Sequence, residues 1–179
     1  MRFFVAKNAP QNDGLKLIMR KIFLLTILSF LFFTIEFLWM NLLGGWFKPD
    51  LLLLLIIFFN LSLGIRYGLA TAFLAGVLKD SFGASVFGIH ALSFVVCAFM
   101  MIVIRRYLFH AGGYSFRISL AFLMSLLNVL VVFTLNSFFL PLEIKEAFCF
   151  VMVPEVLATT LAAGFTFRQL RTCVLKFSV

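Results

Sequence analysis

Long apolar runs separated by short polar breaks dominate the chain, and they predict six membrane-spanning helices over residues 22–43, 50–63, 67–80, 88–104, 118–140 and 147–167. A helix needs about 20 mostly apolar residues to cross the hydrocarbon core of a bilayer. The second and third runs are shorter, so their helices extend into the flanks, thin the bilayer or form a hairpin buried by longer helices. The polar break Gly64-Ile65-Arg66 argues against one continuous helix over both runs.

Composition supports an all-α polytopic membrane protein. The chain is 64% hydrophobic and only 12% charged, whereas a soluble domain has about 25% charged residues. Its length leaves room for one helical bundle. We therefore expect a basic cytoplasmic segment at 1–21, a six-span transmembrane domain at 22–167 with short second and third spans, and a basic cytoplasmic tail at 168–179.

The positive charges predict the orientation of this bundle. Six spans place both termini on one side, and 12 of the 15 Lys and Arg residues fall in segments on that side. The other three are Lys48, Lys79 and Lys145. Cytoplasmic loops carry the excess of Lys and Arg, so both termini are expected in the cytoplasm. The net charge of +8 then reflects topology and anionic lipids, and it gives no reason to expect a nucleic-acid partner.

Small residues recur every fourth position in the third run, at Gly68, Ala72 and Gly76. Small side chains let helix backbones approach closely, which is a main route to helix association in lipid. We expect these three residues to face another helix. Asp80 follows at the same spacing, and an acid in this position is costly if it faces lipid.

Two interpretations of Asp80 follow from the sequence. In the first, Asp80 makes a polar contact to another helix or to a partner, and Gly76, Asp80 and Gly83, with Gly88 and His90 of the next span, form a docking surface for a partner's membrane segment. In the second, Asp80 ends its helix in the outer headgroup region, solvated or paired with a lysine, and His90 is an interfacial hydrogen-bonding residue.

Other polar residues lie inside or beside the apolar runs. Glu36, Asp80 and Glu155 are candidates to line an outward-open cavity, although Glu36 and Glu155 could equally reach the interface or pair with lysine. Pro49-Asp50 is typical of a helix start. The spans also carry amides expected to bond between helices: Asn60, Asn128 and Asn136. The sequence contains no H-E-x-x-H, G-x-S-x-G, P-loop or C-x-x-C pattern, and its three cysteines lack metal-ligand spacing, so we predict no enzyme, cofactor or metal.

Three short segments, F47-K-P-D50, G76-V-L-K-D80 and G88-I-H-A-L92, resemble the rod shape-determining protein MreD family. Its members have six predicted spans, with (R/K)-P-(D/N) before the second, G-x-x-x-D ending the third and L-G-x-x-x-L opening the fourth. Here Phe87 stands in place of the usual Leu, His90 stands where members vary, and the basic leader is longer than expected.

The resemblance implies a non-enzymatic subunit of the bacterial inner membrane that belongs to the cell-elongation machinery for lateral peptidoglycan synthesis. Its implied partners are an MreC-like single-span protein, a RodA-type glycosyltransferase with its penicillin-binding partner, and the MreB cytoskeleton. The implied fold is similar to substrate-binding subunits of energy-coupling-factor vitamin transporters. The alternative function is therefore a small-molecule binding subunit of such a transporter, for which this chain offers few polar groups.

Overall fold

The computed structural model describes residues 9–43, 48–83, 86–108, 114–139 and 153–177. Over these ranges the chain forms six helices and no strand, as the sequence predicts: α1 (Ala9–Leu43), α2 (Leu51–Ser62), α3 (Ile65–Phe82), α4 (Ile89–Leu108), α5 (Tyr114–Phe139) and α6 (Val153–Phe177). Within the described ranges, two stretches are long and apolar enough to cross a membrane, Met19–Leu42 in α1 and Phe116–Phe138 in α5.

The short helix α2 is the centre of the bundle. Every residue from Leu52 to Asn60 is buried, as expected for a helix that is apolar on all sides. Helices α1, α3, α4, α5 and α6 all pack against it. Of the arrangements open for the second run, the structure shows the one in which the other helices surround it. The third run instead extends into its flanks, because α3 gains two residues at each end of the predicted span.

Several helix boundaries differ from the prediction because hydrophobicity detects only the apolar part of a helix. Helix α1 begins at Ala9, within the predicted basic segment, and α6 continues to Phe177, within the predicted tail. The break after α2 is tighter than expected: Gly64 has φ +95°, a left-handed conformation that favours glycine, and α3 begins at the next residue. The predicted connectors at 110–113 and 141–146 lie outside the described residues.

Candidate functional site

A buried ion-pair cluster lies where α2 begins. The Lys79 ammonium nitrogen is 3.0 Å from Asp50 Oδ2 and 3.2 Å from Glu36 Oε1. The three residues are only 7%, 1% and 4% exposed, respectively. Two carboxylates therefore share one ammonium group inside the bundle, where charged side chains are costly unless they are paired.

Asp50 connects the start of α2 to three other helices. Its Oδ1 accepts a hydrogen bond from the backbone N–H of Leu53 at 3.2 Å and so caps α2. Its backbone N–H donates to Thr159 Oγ1 of α6 at 2.9 Å. Its Oδ2 accepts from Asn128 Nδ2 of α5 at 3.0 Å as well as from Lys79 of α3. The predicted helix start is confirmed, and the same carboxylate is also a junction between helices.

The N-terminus of α2 helps to balance the second carboxylate. Glu36 Oε2 accepts the backbone N–H of Leu52 at 3.3 Å. A helix N-terminus is equivalent to roughly half a positive charge, so Lys79 and α2 together offset most of the charge of Glu36 and Asp50. Within the described residues, no group of three or more metal-ligating side chains is placed to hold a metal ion.

Every described helix contributes a side chain to this polar cluster. Ser93 Oγ of α4 donates to Asn128 Oδ1 at 2.6 Å, which extends the network from α5 to α4. A hydrogen-bonded network in a low-dielectric interior stabilises the one helix arrangement in which all its members are satisfied. We call this set the six-helix cluster; its members, in chain order, are Glu36, Asp50, Lys79, Ser93, Asn128 and Thr159.

Asp80 points to a different neighbour and holds the beginning of α4. It is 4% exposed, and its carboxylate accepts backbone N–H groups from Gly88 (3.0 Å), His90 (3.0 Å) and Ala91 (2.9 Å). The first N–H groups of a helix have no partner within the helix and require one from elsewhere. The interpretation of Asp80 as a solvated helix end is therefore wrong: the acid is buried and its partner is the chain's own backbone.

The small residues of α3 explain how α4 comes close enough for these bonds. A Cβ atom added to Gly76 would lie 2.2 Å from the Cα of Ala91, so only glycine fits against this backbone. Gly68 packs in the same way beneath Asn60 of α2, and Ala72 is fully buried. All three thus face the interior of the chain. Gly76 is covered by α4 and is not a surface residue, which removes it from the expected docking surface.

The rest of the expected docking surface stays a prediction. Gly83 is exposed, while Gly88, with φ +102°, and His90 are half-buried. Large apolar side chains beside them are exposed, including Phe82 (64%) and Phe87 (67%). The connection from α3 to α4 therefore has exposed aromatic side chains on its surface. Beneath them, Asp80 is hydrogen-bonded to the backbone at the start of α4.

The expected outward cavity around Glu36, Asp80 and Glu155 also stays a prediction. The carboxylates of Glu36 and Asp80 already bind donors of this chain, and Glu155 is half-buried on α6. A cavity of about 530 Å³ does lie nearby, between α1 and α6, but none of the three acids lines it and its walls are almost entirely apolar.

The arrangement as a whole stabilises structure and shows no reactive group. Its carboxylates are held by an ammonium group and by N–H donors, and its hydroxyl groups act as hydrogen-bond partners between helices. Two of the three amide predictions are confirmed: Asn60 Nδ2 donates to the carbonyl of Ala98 in α4 at 3.0 Å, and Asn128 joins Asp50 to Ser93. The interhelical bond expected for Asn136 stays a prediction.

Comparison with known proteins identifies the family. A family model described as rod shape-determining protein MreD matches residues 16–169. The chain belongs to the MreD family. MreD proteins are membrane proteins with a structural role in rod-shape determination, and this role follows for the chain. No curated protein and no solved structure matches it, so the similarity to vitamin-transporter subunits is not shown.

The structure assigns physical roles to the residues that carry the MreD resemblance. Asp50 of K-P-D joins the six-helix cluster, Gly76 and Asp80 of G-x-x-x-D dock α4, and Gly88 supplies an N–H group to Asp80. Sequence reasoning counted Lys79 as a topology charge and gave pairing with a lysine as an alternative for Glu36, Asp80 and Glu155, of which the pair with Glu36 is observed. It missed the pair with Asp50 and the roles of Ser93 and Thr159. A signal existed for Lys79, because a lysine and two acids at the margins of apolar runs require partners.

Proposed function

We propose that this chain is a non-enzymatic inner-membrane subunit of the cell-elongation machinery that docks an MreC-like single-span protein. Through that protein it connects to a RodA-type glycosyltransferase with its penicillin-binding partner and to the MreB cytoskeleton. The observation that carries the proposal is the family match, which extends into all six helices.

The buried charged side chains have their partners inside this chain, which supports a structural role for the bundle. A transporter or enzyme keeps polar groups open toward its substrate, whereas here Glu36, Asp50, Lys79 and Asp80 bind one another or the chain's own backbone. Such a bundle offers a partner a fixed shape rather than a reactive pocket.

The connection between α3 and α4 is the docking surface that we favour. Exposed Phe82 and Phe87 stand at its edge, and aromatic side chains are common anchors of protein interfaces. The buried bonds from Asp80 to α4 fix the position of these side chains. Partner binding therefore depends directly on the aromatic residues and indirectly on Asp80.

The orientation completes the proposal. Lys79 is buried in the six-helix cluster, so it no longer counts as a charge in an outer loop. This leaves Lys48 and Lys145 against the 12 basic residues on the side of the termini. The stronger asymmetry supports cytoplasmic termini and an outer position for the connection between α3 and α4.

Co-purification with a tagged MreC-like protein tests the docking proposal. We expect Phe87→Ala to reduce partner recovery, normalised to membrane abundance, whereas Phe99→Ala is a matched control because Phe99 is also exposed (61%) but lies about three turns along α4. Asp80→Asn should weaken recovery modestly and Asp80→Leu more strongly. Equal recovery for wild type, Phe87→Ala and both Asp80 variants would reject docking at this surface.

A further inference from the structure

A groove between α1 and α6 opens to the side of the bundle. Over their described residues the two helices make little or no direct contact. The α1 wall includes Leu28 and Trp39, the α6 wall includes Ala162 and Thr166, and Leu51 of α2 also lines the groove. None of the lining residues belongs to the α3–α4 connection, so the groove is a different surface from the docking surface proposed above.

The groove has the dimensions of a helix segment. From Leu28 to Trp39 it runs about 16 Å, at 1.5 Å per residue. The empty space between its walls, counted up to the open side, is about 1,250 Å³. A helix of this length and about 10 Å diameter occupies roughly 1,300 Å³. One further helix therefore fits between α1 and α6 without a large displacement of either.

The α6 wall has the kind of surface on which a second helix packs closely. Ala158, Ala162 and Thr166 line the groove at a spacing of four residues, which places them on successive turns of one helix face. Small side chains at this spacing let helix backbones approach each other in lipid. Opposite them, α1 contributes large side chains, among them Phe32 and Ile35, which would hold an entering helix against α6.

The hydroxyl group of Thr166 lacks the partner that threonine hydroxyls have elsewhere in the chain. In six other threonines the hydroxyl donates to the carbonyl group four residues earlier, at distances of 2.7 to 3.0 Å: Thr26, Thr34, Thr71, Thr134, Thr159 and Thr160. Thr166 is only 6% exposed and lines the groove, yet its hydroxyl forms no hydrogen bond with the part of the chain that the structure describes. An unpaired polar group is costly in apolar surroundings, so Thr166 indicates a polar group on the occupant of the groove.

This hydroxyl lies deep in the apolar part of the bundle. Thr166 follows Thr159 of the six-helix cluster by two turns of α6, about 10 Å. At a similar distance from the cluster the α1 wall is formed by Leu28, near the middle of the apolar stretch Met19–Leu42. Hydrocarbon tails offer no hydrogen-bonding group at this depth, whereas a helix can carry an Asn or Gln that bonds across a helix interface. Gln169 lies one turn farther along the same wall and adds a side-chain amide.

We propose that the groove between α1 and α6 receives one membrane-spanning helix of another polypeptide. That helix has small residues at four-residue spacing facing Ala162 and a side-chain amide that accepts the Thr166 hydroxyl. Because α1, α2 and α6 all line the groove, the entering helix must be free of other neighbours over most of its circumference, as the helix of a single-span protein is. The described helices of a second copy are already packed in their own bundle. The inference requires only that the chain lies in a membrane, and it does not depend on docking at the α3–α4 connection.

Binding of a designed single-span peptide to the full chain in phosphatidylcholine liposomes tests this site. The probe is a helix of about 20 residues, mainly Leu, with Ala at every fourth position and one Asn near its middle; a second peptide has Leu in place of the Asn. Fluorescence energy transfer between labelled peptide and labelled chain measures the affinity. Wild type should bind the Asn peptide about threefold to twentyfold more tightly than the Leu peptide, the range measured for one hydrogen bond between membrane helices. Thr166→Val, which keeps the shape of the side chain but removes the hydroxyl, should abolish this preference.

Two matched controls accompany these variants. Thr134→Val should keep the preference for Asn, because Thr134 is exposed on α5 and its hydroxyl already donates to the carbonyl of Leu130. Ala162→Leu should prevent binding of both peptides, whereas Ala70→Leu, at an exposed alanine of α3, should bind them as wild type does. The Thr166→Val result decides the question even if Ala162→Leu impairs folding.

Three outcomes would overturn the proposal. The first is equal binding of the two peptides by wild type, and the second is a preference for Asn that survives in Thr166→Val. The third is a dimer of the chain alone, or a co-purified lipid, that is lost in Ala162→Leu, because the groove would then belong to a second copy or to lipid.

Discussion

Replacing Lys79 by Gln removes the one cation that, within the described part of the chain, directly contacts the two carboxylates of the six-helix cluster. Asp50 and Glu36 would keep their backbone donors but would face each other without the ammonium group that now lies 3.0 and 3.2 Å away. Removing one partner of a buried ion pair costs about 3–5 kcal/mol, because the remaining charge stays buried. Against a total stability of about 5–15 kcal/mol, this is a large fraction.

Thermal unfolding of the purified protein in detergent measures this loss. For a chain of this size each kcal/mol lowers Tm by roughly 2–4 °C, so we expect a decrease of roughly 6–20 °C for Lys79→Gln. Lys16→Gln is the matched control, because Lys16 is exposed on α1, and its Tm should equal that of wild type. If Lys79→Gln melts within 2 °C of that control, roughly the effect of 1 kcal/mol, the six-helix cluster does not stabilise the bundle in the way that its geometry indicates.

Three further predictions concern packing, capping and topology. Gly76→Ala should destabilise the bundle by about 1–3 kcal/mol, because the added Cβ would meet the backbone of α4. The control variant Gly83→Ala should leave stability unchanged, because Gly83 is exposed and has φ −80°. Equal melting temperatures for the two variants would contradict the close contact at Gly76. Asp80→Ala should lower Tm, because three backbone N–H groups at the start of α4 lose their acceptor. Hydrogen–deuterium exchange should then be faster at those three amides. Unchanged exchange would argue against the role of Asp80 in capping α4. Reporter fusions at Val179 and in the 143–146 loop should report opposite sides of the membrane, with Val179 cytoplasmic, and a periplasmic Val179 would refute the orientation.

The pattern of apolar runs predicts the six helices well, because burial in lipid or protein requires the same continuous apolar composition. It does not predict that the shortest apolar helix lies at the centre. Leu51–Ser62 is apolar on every side, and a hydrophobicity profile cannot distinguish lipid from protein as its surroundings. The profile also does not predict the start of α1 or the end of α6, because the turns at those two helix ends are polar.

The candidate site was predictable residue by residue but not as an arrangement. Residue type and spacing along the sequence identify Asp50 as a helix start, Gly76 as a helix-packing residue and Asp80 as an acid that needs a partner. The partner of Asp80, however, is the backbone of α4, and the partners of Asp50 come from α3, α5 and α6. Such pairings depend on the tertiary arrangement of helices, which side-chain spacing within one helix does not specify.

The central claim is that the buried charges serve the shape of this protein rather than a reaction or a bound solute. A variant with Glu36→Gln, Asp50→Asn and Lys79→Gln tests this most directly, because it removes all three charges together and leaves amides that can hydrogen-bond one another. Replacing a complete buried ion cluster by neutral groups is often tolerated, unlike removal of one member. The measurement is rod-shape complementation in cells depleted of their own MreD protein, with membrane abundance recorded for each variant. Our account predicts that the triple variant restores rod shape while Lys79→Gln alone fails for lack of folded protein. A triple variant that is abundant and folded but leaves the cells round would contradict it.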